Sequence, residues 1–344
     1  MLVNRLLLFV TALCLGRLLQ SAHLPIPFLM GGLLTAVACK TLAQRVSVSW
    51  PKKWREYALM VAGYGIGSVF TADTWRSFLD ELSGVVEATV VILAASMALA
   101  WVASRISHEN LKSCIMGMLP GGMTLSMLMA EEDKEINPNA VMVMQVIRLL
   151  GVVITVPFLV IWLLDAQVVG SSVALPNRGG VHWLVFVPLV ILGSFVAIKT
   201  HLPTPRLLGP ILATAAFAVY ADGVQPVPFW LMAPAQVSIG LFMGMQLDAG
   251  RIAKTKGVVP LVLVGTALLI VVSIGMAIVL SARYGFSLIT AFLAMAPGGI
   301  AEMSLAGMSM GENVSIILTY QLVRVLVINI CVPPCLKLAF GRKQ

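Results

Sequence analysis

Apolar runs long enough to cross a bilayer follow one another from end to end of this chain. No polar stretch between them is long enough for a separate soluble domain. Hydrocarbon offers no water to satisfy a backbone, so such runs are read as helices whose amides and carbonyls pair internally. The composition agrees: 59% of residues are hydrophobic and 11% charged, where soluble domains carry about 25% charged residues. The first run, Arg5–Leu19, has the look of a signal peptide, but no small-residue cleavage site follows it and the next apolar run begins within a few residues. It reads as a retained helix.

The net charge of +8 does not imply nucleic acid. Basic residues sit in short connections such as Trp50–Arg55 and Arg251–Lys256, as cytoplasmic loops of membrane proteins do. The five cysteines, Cys14, Cys39, Cys114, Cys331 and Cys335, are scattered and contain no CxxC, so neither a disulfide framework nor a zinc site is expected.

The chain repeats itself. His23–Ala36 returns as His201–Ala215, an offset of 178 (201 minus 23). Gly63 and Gly67 match Gly240 and Gly244, and Met118–Met127 matches Met295–Ser304, both at an offset of 177. Gln145–Pro157 matches Gln321–Pro333 at 176. Four anchors in one order, drifting by two residues, point to a duplication with halves 1–170 and 178–344 and a linker over Ser171–Gly180.

Each half holds six apolar runs, and charge orients them. In the first half the connection after the second run is basic (Lys40, Arg45, Lys52, Lys53, Arg55), and the one after the third leans acidic. In the second half the pattern flips, with Asp222 after the second run and Arg251, Lys254 and Lys256 after the third. The positive-inside rule then inserts the halves in opposite orientations. Inversion needs an odd number of crossings per half. The expected fold is therefore an all-α polytopic membrane protein built of two inverted repeats. Each has about five crossings plus one broken or re-entrant Pro-Gly-Gly segment, which is a transporter-type plan.

Chemistry concentrates at those segments. Pro120-Gly121-Gly122 and Pro297-Gly298-Gly299 break the fifth run of each half. Thr124, Ser126, Glu302 and Ser304 follow them. A helix restarting after such a break aims its N-terminal amides at whatever fills the gap, which can hold an anion; the plainer reading is a kink for packing. Glu302 is either a carrier of a proton or cation, or a first-turn carboxylate complementing the helix dipole; its repeat mate is Leu125. Gln145 and Arg148, and again Gln321 and Arg324, share a helix face at i, i+3. Arg324 lies deep in its run and needs a partner: Glu302 in an internal ion pair, or an anionic substrate group. His23 and His201 read as structural helix starters. No metal, cofactor or catalytic motif is found, and no enzyme activity is expected.

At these residues the chain resembles the AbrB family of bacterial integral membrane proteins, which is distinct from the small DNA-binding protein of similar name. The likeness rests on Pro120–Glu132 with QVIRLLGVV, and Pro297–Gly311 with QLVRVLVIN. The family's repeat carries an acid where this chain has Leu125, which weakens a two-carboxylate mechanism. Members are labelled ammonia monooxygenase or regulator of gene expression. An oxygenase needs a metal site, and the four histidines here are spread along the chain. APGGIAEM is more distantly similar to the crossing-helix motif of bile acid:sodium symporters and cation/proton antiporters, which implies a panel-and-core fold. These likenesses imply a secondary transporter of a small anionic metabolite, coupled to cations or protons, in the bacterial inner membrane. The alternative is a membrane regulator that senses without transport. The partners expected are the lipid bilayer and a small-molecule or ion substrate, without nucleic acid; homo-oligomerisation is left open.

Overall fold

Helix ends in the computed structural model fall where proline and glycine interrupt the apolar runs. The structure describes residues 2–42, 49–71, 81–107, 109–121, 126, 129–130, 133–164, 183–221, 223–255 and 257–340. The first half contributes α1 (Leu2–Ser21), α2 (Pro27–Leu42), α3 (Lys52–Gly67), α4 (Leu82–Ile106), α5 (Leu111–Met118) and α6 (Pro138–Leu164). The second contributes α7 (Phe186–Lys199), α8 (Pro205–Tyr220), α9 (Phe229–Met245), the short α10 (Ala249–Lys254), α11 (Val258–Tyr284), α12 (Leu288–Met295), α13 (Ile300–Ser309) and α14 (Val314–Phe340). Proline stands at or just before the start of α2, α3, α6, α8 and α9, where its missing N–H costs nothing.

Among the described residues, five helices are long and apolar enough to cross a membrane: α1, α4, α6, α11 and α14. Helices α2, α7 and α8 are shorter and apolar. The chain is thus an all-helical membrane protein among its described residues. The linker at 171–180 lies outside them.

The chain divides into two compact units, and each draws on both halves of the sequence. One comprises Met1–Asp80, Ile154–Leu247 and Ala301–Ile317. In it α2 packs on α1 and α9, while α8 packs on α7 and α3. Glycine makes these approaches. A Cβ at Gly240 would stand 2.1 Å from the Leu29 carbonyl oxygen, and one at Gly63 would stand 2.7 Å from that of Leu207. At Gly244 it would meet Leu33 and Ala36, and at Gly67 Ile211 and Thr214. Leu29, Leu33 and Ala36 stand 178 residues before Leu207, Ile211 and Thr214, so one contact pattern occurs twice. The turns before α2 and α8 match as well. His23 and Ile26 have φ of 54° and 45°, and His201 and Thr204 have 55° and 45°. Non-glycine residues rarely adopt such angles, and the following prolines keep Ile26 and Thr204 out of the right-handed helical region.

The other unit comprises Glu81–Val153, Asp248–Ile300 and Leu318–Gln344. Here α4 packs on α5 and α11, and α11 on α12. A cluster of Cys114, Met116, Met118, Val141, Met144 and Val262 fills its apolar centre.

Replacing Gly240 with leucine should lower the melting temperature of the purified protein by the equivalent of about 1–3 kcal/mol or more, because backbone carbonyl cannot move aside as a side chain can. Gly257→Ala, where an added Cβ meets nothing within 4 Å, serves as the matched control and should leave the melt unchanged.

Candidate functional site

Half-helices α5 and α12 are only eight residues long. At 1.5 Å per residue each runs about 12 Å, less than half of a hydrocarbon core about 30 Å thick. Their starts are capped alike: the Asn110 side chain accepts from the Ser113 amide at 2.8 Å, and Ser287 accepts from that of Thr290 at 2.9 Å. Their ends are set by proline. Leu119 and Ala296, each preceding a proline, are extended with ψ of 124° and 136°.

Ending a helix inside a bilayer strands its last carbonyls, and no water is there to take them. Four buried side chains do so. Gln145 donates through Nε2 to the Met116 carbonyl and to Ser126 Oγ, both at 2.7 Å. Arg148 donates through Nη1 to the carbonyls of Leu119 and, at 3.4 Å, Gly117. In the second half Gln321 Nε2 reaches the carbonyls of Leu293 (2.9 Å), Ala296 (3.0 Å) and Ala294 (3.3 Å). Arg324 donates through Nη1 to Ala296 (2.9 Å) and Met295 (3.3 Å), and through Nη2 to the Gly298 carbonyl (3.0 Å) and Gln321 Oε1. Gln145, Arg148, Gln321 and Arg324 are 1%, 4%, 0% and 2% exposed, so lipid and water are both shut out. Each guanidinium lies against the negative end of a half-helix dipole, about half an elementary charge. Sequence reasoning gave Arg324 either Glu302 or an anionic substrate group as partner; the acceptors described for it are these neutral oxygens. Sequence spacing showed that glutamine and arginine share a face, but not that the face meets backbone.

Described residues on the two sides of the first break meet. Lys112, at the start of α5, binds Asp133 at 2.7 Å and Glu135 at 2.9 Å, beyond the break. The Asn137 amide donates to Ser113 Oγ at 2.8 Å, its side chain reaches Glu109 at 3.0 Å, and Ser126 Oγ returns to the Met116 carbonyl at 3.2 Å. The start of α5 therefore lies against residues 133–137.

The remaining expected residues fall as follows. Pro120 is buried, and Gly121 has φ of 126° with Val325 Cγ2 only 3.1 Å from where a Cβ would sit, so glycine suits this position. Gly122 and Thr124 lie outside the described residues, as does Leu125. Pro297 and Gly298 are buried and Gly299 half-buried. Glu302 lies in the first turn of α13, buried, and Ser304 Oγ is buried without a hydrogen-bond partner. The opposite charge that acts on Glu302 is Arg55, in the first turn of α3, without direct ion-pair contact. Arg55 also lies over the Phe242 ring at 4.8 Å. Arg55 was read from the sequence only as a loop charge, and no local signal ties it to a residue so far along the chain.

The sequence profile of the family described as "Transition state regulatory protein AbrB" matches residues 28–340. The chain is 25% identical to "Uncharacterized protein YhjN" of Bacillus subtilis (strain 168), covering 94% of this chain and 90% of that protein. It is 23% identical to "Putative regulator AbrB" of Escherichia coli (strain K12), covering 92% and 91%.

Two measurements check the geometry. Gln321→Leu strands the Leu293 and Ala294 carbonyls and should cost about 1–3 kcal/mol in a detergent melt, with Gln145→Leu moving in the same direction. The Lys112 ammonium holds the Asp133 carboxyl below the usual carboxylate range. A carboxyl lowered in the folded state stabilises above its unfolded pKa, and that contribution is lost as pH falls through the folded value. Amide exchange over 133–136 should therefore speed up as the medium is acidified below about pH 4, beyond the intrinsic pH effect, and Asp133→Asn should abolish that dependence.

Proposed function

This chain belongs to the AbrB family, and on that footing we propose that it is a secondary transporter of the bacterial inner membrane, moving a small anionic metabolite in a cycle coupled to cations or protons. The observation that carries the reading is the pair of capped breaks. Packing needs alone are met by continuous helices, which satisfy their own carbonyls. A chain that ends two helices inside the membrane and commits two buried arginines and two glutamines to the loose ends keeps irregular backbone where a polar ligand can use it.

The duplication supports it. Contacts at Gly63 and Gly240, the turns at His23 and His201, and the Gln-x-x-Arg caps recur at offsets of 176 to 178. We read them as inverted repeats 1–170 and 178–344, with about five crossings and one Pro-Gly-Gly segment each. In this reading the binding set comprises Pro120, Gly121, Gly122, Thr124, Ser126, Gln145 and Arg148, with Pro297, Gly298, Gly299, Glu302, Ser304, Gln321 and Arg324. Glu302 carries the coupling proton or cation, with Arg55 as the charge it answers to.

The name of the Escherichia coli relative favours a second reading, a regulator that binds a ligand and signals without moving it. Flux separates them. In proteoliposomes screened with labelled carboxylates and amino acids, a transporter concentrates at least one compound under an imposed pH or Na⁺ gradient. Glu302→Gln should cut that uptake at least tenfold, about 1.4 kcal/mol or more on the transport barrier. Ligand binding without uptake by the wild type, under either gradient, sinks the transport reading and leaves the regulator.

A further inference from the structure

The start of α3 breaks a local rule. A first helical turn favours acids, because the helix dipole is positive there, yet α3 opens with Lys52, Lys53 and Arg55 and holds no acid in that turn. The helix itself does not need these charges. Pro51 stands 177 residues before Pro228, and where α3 has Lys52 and Lys53, α9 has Phe229 and Trp230. Both lysines are exposed, and among the described residues neither pairs with an acid. Glu56, the acid next along the helix, turns instead to Arg206 of α8 at 3.9 Å.

The lysines stand on a fixed frame. Trp50 donates through Nε1 to Ser238 Oγ of α9 at 2.9 Å, stacks on Phe9 of α1 with ring centroids 5.8 Å apart, and meets Trp54 edge-on at 5.1 Å. Arg5 Nη2 donates to Ser49 Oγ at 3.2 Å. These contacts tie the start of α1 to the start of α3. Lys40, in the last turn of α2, comes to the same end, since its neighbour Cys39 packs in one apolar cluster with Phe9 and Trp50. Arg5, Lys40, Lys52 and Lys53, none with an acid partner among the described residues, thus gather at one end of a single compact unit.

The surroundings suit a lipid. Trp54 and Tyr57 of α3 are 52% and 61% exposed. Helix α1 is the least buried of the five candidate spans, and its exposed Val3, Leu6, Leu7 and Val10 flank Arg5 and Phe9. Exposed tryptophan and tyrosine mark the level of phospholipid headgroups. Orientation during insertion asks only for charge near a helix end. It does not ask that the charge be mounted on packed aromatic rings at the head of an apolar strip. A free phosphate would use the cations and leave the strip idle.

We propose that this corner of the protein is a binding surface for an anionic phospholipid, with the lipid phosphate among Arg5, Lys40, Lys52 and Lys53 and the acyl chains along α1. The surface is separate from the helix breaks, and it stands or falls independently of transport.

The test is native mass spectrometry of the full-length chain in detergent, given equal amounts of phosphatidylglycerol and phosphatidylcholine with the same acyl chains. Phosphatidylglycerol should be the lipid retained, and Lys52→Ala with Lys53→Ala should cut that preference by about fivefold or more. Lys254→Ala with Lys256→Ala removes the same charge from another basic connection and should leave the preference unchanged. No preference in the wild type overturns the proposal, as does a preference that survives loss of Lys52 and Lys53. An equal loss in both pairs assigns the effect to diffuse charge and removes the site. Displacement of the lipid by an equal concentration of glycerol 3-phosphate assigns it to a soluble phosphate and overturns the lipid. Phosphatidylglycerol carrying a diazirine on its acyl chain should label α1 or the start of α3 in the wild type, and label confined elsewhere overturns the placement.

Discussion

A helix that stops inside hydrocarbon must have its last carbonyls taken by something other than water, and the rest of this structure is arranged around that demand. Half-helices α5 and α12 stop after eight residues at a residue-proline step. The donors come from helices α6 and α14, where a glutamine and an arginine three residues apart present one face. Glutamine supplies amide donors for carbonyls of the last turn. Arginine supplies a planar fork that spans the carbonyls beyond it, together with the positive charge that the helix dipole favours. Lysine would provide the charge without the fork, and a second glutamine the donors without the charge.

Close backbone packing answers a different constraint. Between apolar helices in lipid the hydrophobic effect contributes little, and association rests on contact. Glycines at 63, 67, 240 and 244 remove the side chain where a neighbouring backbone passes, at the expense of helix propensity. The strained turns at Ile26 and Thr204 fit the same logic. A Leu-Pro-x-Pro sequence starts the next helix at once, and the residue between the prolines takes an unfavourable φ that the surrounding helices hold in place.

Much of this was legible in the sequence, because membranes restrict the choices so severely. Run length gave the helices, proline and glycine gave the breaks, and offset matches gave the pairs of positions that turn out to make matching contacts. What sequence could not supply was the identity of partners. Arg324 looked in need of an anion because apolar neighbours surround it along the chain, yet its donors meet carbonyls brought from some 26 to 29 residues away. Arg55, which charge counting assigned to a loop, lies in the first turn of α3, in the same compact unit as Glu302. A Pro-Gly-Gly can kink a crossing or turn a hairpin, and sequence does not say that Lys112 meets Asp133 across the first break.

The two arginines also separate structural from functional need. Capping alone is complete when every stranded carbonyl has a donor and every donor of the cap has an acceptor. The carbonyl side of that account closes around α12, where Gln321 and Arg324 between them reach Leu293, Ala294, Met295, Ala296 and Gly298. The donor side does not close, since an Nε–H remains on each arginine. A purely structural cap would gain by satisfying or removing that group, because an unmet donor on a buried charge costs about as much as a good hydrogen bond contributes. Glutamine at 148 and 324 would still reach carbonyls and would bring no charge into the membrane. Guanidinium at both places adds the positive charge that the negative ends of α5 and α12 favour.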